Sequence, residues 1–588
     1  MPIDKISITN LANKLLHYFG AMPDTYSTIL ISAIILLTFI AVIPVAYPKL
    51  ANNKYYVSLF ITIIIIAILF GRFPLLALEL TNPDESLEIA SAMTLTQDPV
   101  FWRSVDLGTH GPLTTYPLIA PLLFNIQIDY GSAKLIAVLM QLLSTILLFL
   151  TIRAFTSSKV AMLSVVPLVI FVSLTYFIDF ISYNAEHPVN LLIAAALYFL
   201  AKFWQANGNR RLPLIFTAGL LLGCAPYAKI QSIPIAAAVF LFGCMAIYAK
   251  RSEENKVAPM LSTYIIGGTA ATVIIICYVW FFGLYKDFMI RYIFGQFNYA
   301  GSNKFSGQSF AAFGSAFSKV NADNGKFFSL MAISSLLIVI IYLVYRKYKP
   351  HITTNPQPVD SGRRISNLTY YVLALLLLLI MSVIAVYLPG RAFHHYFLLI
   401  SLPLALLSAI VVVVIYDKTT IKSVRILTIL LYLSIPIAGQ LYNRPYLLNF
   451  DGLFKQLLSI DSRFDQYITA LIRQYSKPGE KMAIWGWADT YYVRSGLTIA
   501  CKTGLTQISG DFGNKDYYLN SYLAELTTAK PPVFLDAVAP GQFAFTDKKI
   551  YGMERYDRVA RYIQSNYTMV ADVNGVRIYI RKERLGAA

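Results

Sequence analysis

Long uninterrupted apolar runs recur along the chain, and they decide what it can fold into. Val57 to Phe70 reads VSLFITIIIIAILF, and Lys134 to Ile152 reads KLIAVLMQLLSTILLFLTI. A helix of about 20 mostly apolar residues is long enough to cross a bilayer. By that rule twelve candidate spans appear, at 27–47, 56–76, 132–152, 160–178, 188–205, 213–228, 231–249, 259–283, 327–345, 367–388, 395–416 and 424–442. The pair 213–228 and 231–249 is short and joined near Pro226 and Lys229, which suits a tilted hairpin. Charged residues make up only 14% of the 588, against about 25% in soluble domains. The chain reads as an α-helical polytopic membrane protein with about twelve transmembrane helices. No cleavable leader is expected, because the first apolar run ends in VIPVAYP without a small-residue cleavage motif.

The net charge is +18, which in a soluble chain would point to nucleic acid. Here the basic residues concentrate in alternate loops, and nucleic acid is not an expected partner. These loops carry Lys49 and Lys54, Arg153 and Lys159, then Lys202, Arg210 and Arg211. Further along they carry Lys250, Arg251 and Lys256, then Arg346, Lys347, Lys349, Arg363 and Arg364, and finally Lys418, Lys422 and Arg425. Basic loops stay cytoplasmic, so the opposite set faces outward, together with everything after residue 442. The four cysteines are scattered and form neither a disulfide framework nor a CxxC metal motif.

One outward loop, residues 81–117, departs most from the apolar pattern: TNPDESLEIASAMTLTQDPVFWRSVDLGTHGPLTTYP. Connections in compact folds are usually short, and long ones carry function or are disordered. This one is not low-complexity, and Leu87, Ala90, Met93 and Leu95 give part of it an apolar helical side. Asp84 and Glu85 are the candidate catalytic carboxylates, since a partly desolvated acid serves as a general base. The same Asn82-Pro83-Asp84-Glu85 run also suits a helix N-terminus, and both readings hold together if the helix places Asp84. Arg103 offers phosphate a planar fork, or pairs with Asp98 or Asp106. His110 can donate to a phosphate or take up a proton.

Other candidate substrate-binding groups fall on the same membrane face. Glu186 and His187 lie in FISYNAEHPVN, and Lys229 and Gln231 in APYAKIQSIP. Ionisable groups near membrane depth line cavities or pair with one another, and for Lys229 snorkelling is the plainer reading. Arg391, His394 and His395, in PGRAFHHYFLLISLPLALL, stand at a helix start, where an anion is attracted. The His-His pair lacks an acidic partner four residues on, so no metal ligands are assigned. Residues 284–326 read as a flexible outer loop, either a lid or a linker, with Arg291 and its lysines offered to anionic headgroups or a phosphate.

Two regions follow: a membrane core over 1–442 and a small α/β domain over 443–588. In the second, KMAIWGW and PPVFLDAV read as strands and Tyr556–Asn566 as a helix. YTMVADV and VRIYIRK flank Asn574-Gly575, a strong hairpin signal. No metal or nucleophile motif stands out there.

Acids and cations converging on one membrane face suit transfer from a lipid phosphate. The chain resembles the polytopic glycosyltransferases of the GT-C superfamily. That group includes protein O-mannosyltransferases, lipid A aminoarabinose transferases and RgtA/B/C/D-like bacterial enzymes. The resemblance covers the membrane region. It rests on Asp84-Glu85 opening the first outer loop, then THGPLTTYP, AEHP, AKIQSIP and GRAFHHYFLLISLPL, with IWGW and YYVRSG in the C-terminal region. The chain departs from the pattern in having two spans before the acidic loop and no second acidic motif for a metal. The resemblance implies an inverting transferase using a polyprenyl-phosphate sugar, with Asp84 as base or acceptor-binding group. It also implies phosphate or acceptor contacts at Arg103, Lys229, Arg391 and His395.

The expected protein sits in a bacterial inner membrane with its site and C-terminal domain outside. It moves a sugar from a polyprenyl phosphate to a hydroxyl of an envelope glycan, lipid or protein. Two other classes compete. A transporter or flippase of a lipid-linked sugar predicts internal repeats and ionisable or helix-breaking residues near mid-span. A non-catalytic envelope assembly protein makes no demand on Asp84.

Overall fold

A computed structural model describes residues 5–79, 82–251, 256–301, 307–348, 375–391, 393–418, 422–443, 463–510 and 512–585. Among these, eight helices are long and apolar enough to cross a membrane. They are Thr25–Ala46, Lys54–Ala77, Tyr130–Phe155, Glu186–Gln205, Ile230–Ala249, Val257–Phe281, His394–Ile415 and Lys422–Asn443. The other four expected spans coincide with shorter apolar helices, Ser158–Leu174, Arg211–Tyr227, Phe327–Ile338 and Leu375–Tyr387. Ser158–Leu174 is buried along its whole length, so protein neighbours rather than lipid set its extent. Lys349, Arg363 and Arg364 of the basic loops, and the start of the 443–588 region up to residue 462, lie outside the described residues.

The turn that carries Lys229 is held by close helix packing. Helix Arg211–Cys224 runs against Val257–Phe281 through glycines. A Cβ at Gly223 would meet the carbonyl oxygen of Gly268 at 2.1 Å, and one at Gly219 would meet that of Tyr264 at 2.4 Å. Inside a membrane, where lipid is as apolar as leucine, such small-residue contacts let backbones approach and supply the packing energy.

Beyond the membrane helices lies a five-stranded sheet of order β2-β1-β3-β5-β4. Its strands are β1 (Lys481–Trp485), β2 (Thr498–Ile499), β3 (Val533–Asp536), β4 (Tyr567–Val573) and β5 (Val576–Arg581). β1 is parallel to β2 and β3, and β5 is antiparallel to β3 and β4. The strands read from KMAIWGW and PPVFLDAV are β1 and β3. The Asn574-Gly575 hairpin forms with both residues at positive φ, 52° and 90°, as a two-residue hairpin turn requires.

The two faces of the sheet do different work. Ala483, Trp485 and Phe534 pack on Tyr522, Leu526 and Ile563 within the domain. Met482, Ile484 and Leu535 instead share one core with Leu95, Val100 and Trp102 of the 81–117 loop. That shared core docks the C-terminal sheet onto the outer loop through burial of apolar surface. Residues 284–326, read from sequence as a flexible loop, are largely helical where described: Tyr285–Asp287, a wide π-helical turn at Phe288–Phe294, Gly295–Gly301 and Gly307–Asp323. Phe288 and Tyr292 bury their rings against Trp102, which fixes this segment to the same core.

Replacing Gly223 by Val forces the two helices apart. The expected loss is about 1–3 kcal/mol, read as a lowered melting temperature of the detergent-solubilised protein.

Candidate active site

The 81–117 loop places its acids on a helix. Helix Pro83–Leu95 starts with Asn82, whose side chain accepts the Asp84 N–H at 2.8 Å, and with Pro at the first helical position. This end suits the acidic first turn. Successive residues then point about 100° apart. Asp84 and Leu87 line a cavity of about 410 Å³, while Glu85 and Glu88 are fully buried against protein partners outside it.

That burial corrects the reading of Glu85 as a catalytic partner. Glu85 is fully buried, 2.6 Å from the Lys134 ammonium, and accepts the Tyr183 N–H at 2.8 Å. Glu88 meets His110 Nδ1 at 2.7 Å and accepts the Thr115 hydroxyl at 2.7 Å. These buried acids tie the loop helix to its neighbours.

Three of the expected residues come together around Asp84. His110, Arg391 and His395 line the same cavity, with Tyr299, Tyr396, Lys502 and, from the C-terminal domain, Trp487 and Asp489. His395 Nε2 stands 3.8 Å from Asp84 Oδ2, a contact longer than a hydrogen bond. The Arg391 guanidinium lies 4.7 Å from the centre of the Tyr299 ring. Lys502 faces the cavity while donating to the Trp102 carbonyl at 2.6 Å.

Glu186 and Lys229 stand one layer behind, as a buried pair at 2.5 Å. The Lys229 ammonium lies 4.4 Å from the centre of the Tyr396 ring, and its backbone bridges that of His110. Lys229 is therefore paired in protein rather than snorkelling to the surface.

The remaining candidates do not line this cavity. Arg103 is half exposed and forked onto Asp98, as the simpler alternative had it. His187 is buried among Gln141 and the Ser182 carbonyl, at 3.3 and 3.0 Å. Gln231 donates to the Ala385 carbonyl at 2.5 Å, tying two helices. His394 meets Asp179 at 3.0 Å. Burial works against the Asp179 charge, yet His394, His395 and the Asn82 amide hold that carboxyl below its ordinary value. Arg291, offered from sequence to a headgroup or phosphate, is fully buried and paired with Asp106 at 2.7 Å. Among the described residues no group of three His, Cys, Asp or Glu side chains is arranged for a metal ion.

Asp489 is one of the cavity residues, with Tyr299, Tyr396, Trp487 and Lys502, that sequence reading missed. It follows β1, where Gly486 adopts φ 138° and turns the chain toward the cavity. Ligand sites in α/β sheets lie beyond the carboxyl ends of parallel strands, so its place after KMAIWGW was a usable signal. Burial, with the negative charge of Asp84 adding to it, pushes Asp489 up to about 7.

With this geometry in hand, known proteins can be compared. Residues 110–281 match the family described as dolichyl-phosphate-mannose-protein mannosyltransferase. The crystal structure of ArnT from Cupriavidus metallidurans bound to undecaprenyl phosphate matches over 90% of this chain and 98% of that one, at 10% identity and a TM-score of 0.52. The chain has the GT-C glycosyltransferase fold. The Archaeoglobus fulgidus oligosaccharyltransferase in its apo form covers 90% of this chain and 75% of its own, at 13% identity and a TM-score of 0.45. No curated protein matches the sequence. The family match begins at His110, on the cavity wall, and runs through Glu186 and Lys229 behind it.

Two tests separate scaffold from site. Glu85→Gln leaves the buried Lys134 charge without its counter-ion, and the expected cost is about 3–5 kcal/mol in a denaturation measurement. Asp489 holds its proton more tightly in the fold than an unfolded aspartate does, so ionising it costs stability as pH rises. That cost starts above the ordinary carboxylate range and is complete once pH passes about 7. Asp489→Asn is therefore expected to raise the melting temperature more at about pH 8 than at about pH 4.

Proposed function

We propose that this protein is a membrane glycosyltransferase that moves a sugar from a polyprenyl phosphate to a hydroxyl acceptor at the outer face of a bacterial inner membrane. The observation that carries the reading is the placing of Asp84. It stands on a helix N-terminus in a cavity it shares with Arg391, His110 and His395, at the junction of membrane helices and outer domain. A carboxylate and cations are what displacement of a lipid phosphate needs on its two sides.

In the proposed step Asp84 takes the proton of the acceptor hydroxyl. The acceptor oxygen forms its bond to the anomeric carbon as the bond from that carbon to the phosphate oxygen breaks. The lipid phosphate leaves with the bonding pair, and the configuration at the anomeric carbon inverts. Arg391 and His395 stabilise the charge that develops on the departing phosphate, the guanidinium by its fork of N–H donors. The apolar cavity walls and the nearby bilayer accommodate the lipid tail. Envelope glycans, lipids and proteins all present a suitable hydroxyl, and undecaprenyl phosphate is the expected lipid carrier, as in the ArnT complex that shares this fold.

The test is transfer of radiolabelled sugar from a panel of polyprenyl-phosphate donors to an envelope extract, with purified protein in nanodiscs. Asp84→Asn is expected to lower turnover about a thousandfold while donor binding survives. Turnover close to wild type in that variant contradicts the role given to Asp84.

A further inference from the structure

The cavity around Asp84 has a neighbour. Trp487, Asp489 and Phe543 line it on one side, and the same three residues line a second cavity of about 400 Å³ on the other. This outer groove runs between the start of the loop helix, at Asn82 and Ser86, and the C-terminal domain, at Asp465, Gln542 and Asn574.

The two spaces differ in their basic groups. The inner cavity carries Arg391, Lys502, His110 and His395 beside the acids Asp84, Asp106 and Asp489. The outer groove is lined by no Lys, Arg or His among the described residues, and its charged groups are Asp465 and Asp489. Asp465 is held from behind by Arg494 at 3.3 Å and by the Tyr491 hydroxyl at 2.8 Å. An anionic ligand is disfavoured there, whereas a neutral polyhydroxyl ligand is not.

The groove chemistry is also specific. Trp487 and Phe543 meet edge to face at 4.8 Å, presenting apolar ring surface of the kind that covers the C–H face of a sugar. The Trp487 indole N–H is buried without a hydrogen-bond partner among the described residues, and such a group is normally satisfied. Gln542 and Asn574 add amides that both donate and accept. Asp489 stands where groove and cavity meet.

We propose that the outer groove is the acceptor site: it takes a neutral sugar residue against Trp487 and Phe543, and Asp489 holds the hydroxyl that is presented to Asp84. The proposal rests on the glycosyltransferase reading above and deepens it. It gives the C-terminal domain a substrate-binding role and names the acceptor as a neutral glycan rather than a phosphorylated one. With its proton retained near neutrality, Asp489 is able to donate to a sugar oxygen, which an ionised carboxylate cannot do.

The experiment measures binding of two probes to the full chain in nanodiscs. One is a panel of methyl glycosides followed by saturation-transfer NMR; the other is undecaprenyl phosphate. A methyl glycoside is expected to bind wild type and to lose about tenfold in affinity with Trp487→Ala and with Asp489→Ala. Trp487→Phe, which keeps a ring, should retain most of that binding. Undecaprenyl phosphate should bind all of these proteins equally, which also shows that they are folded. Glycoside affinity unchanged in both alanine variants overturns the proposal, as does absence of any glycoside binding to wild type. Glycoside binding that depends on Trp487 and Asp489, with no binding of undecaprenyl phosphate to wild type, supports the groove and counts against the lipid donor instead.

Discussion

The structure depends on one buried positive charge. Arg291 is fully enclosed, and its guanidinium reaches Asp106 of the outer loop at 2.7 Å, Asp287 of its own turn at 2.8 Å, and the hydroxyls of Thr503 and Ser521 in the C-terminal domain at 3.0 and 2.6 Å. Three parts of the chain, far apart in sequence, meet on that one side chain. A guanidinium taken out of water is costly unless nearly all its N–H groups find partners. Here the partners come from all three parts, so the charge is satisfied only when loop, turn and domain are assembled together. The apolar core shared by Trp102, Phe288, Ile484 and Leu535 supplies the driving force, and Arg291 supplies the register.

That assembly is what makes a site out of a loop. Pro83–Leu95 buries Glu85 and Glu88 against protein partners and sets Asp84 in a cavity that residues of the C-terminal region also line. Glu85, Glu88 and Glu186 are each buried in a pair, with Lys134, His110 and Lys229. They leave Asp84 as the acid of its helix that faces both the cations and the outer domain. The two spaces differ in their basic groups: Arg391 and Lys502 line the cavity with Asp84, whereas no Lys, Arg or His among the described residues lines the groove beside it.

Much of this was legible in the sequence where the physics is local. Apolar runs marked the membrane helices because span length is set by bilayer thickness. Asn574-Gly575 marked the hairpin because its turn needs positive φ at both positions. Asn82-Pro83 marked the helix start that places Asp84. Arg391 and His395 were found because ionisable groups at a helix entry are conspicuous in apolar surroundings. What was hidden is what depends on direction and distance. Asp84 and Glu85 are neighbours in sequence and point into different environments, which no spacing rule separates without the helix phase. Arg291 and Asp106 lie 185 residues apart, so nothing local paired them. Arg103 looked like a phosphate ligand, but Asp98, five residues back, was near enough to claim it.

The most direct measurement of the account is the position of the lipid phosphate. An experimental structure of the full chain in nanodiscs with undecaprenyl phosphate should show the phosphate within hydrogen-bond reach of Arg391 and His395, facing Asp84 across the cavity. Density for the phosphate beside Arg103, or among the basic loops on the opposite membrane face, would contradict it.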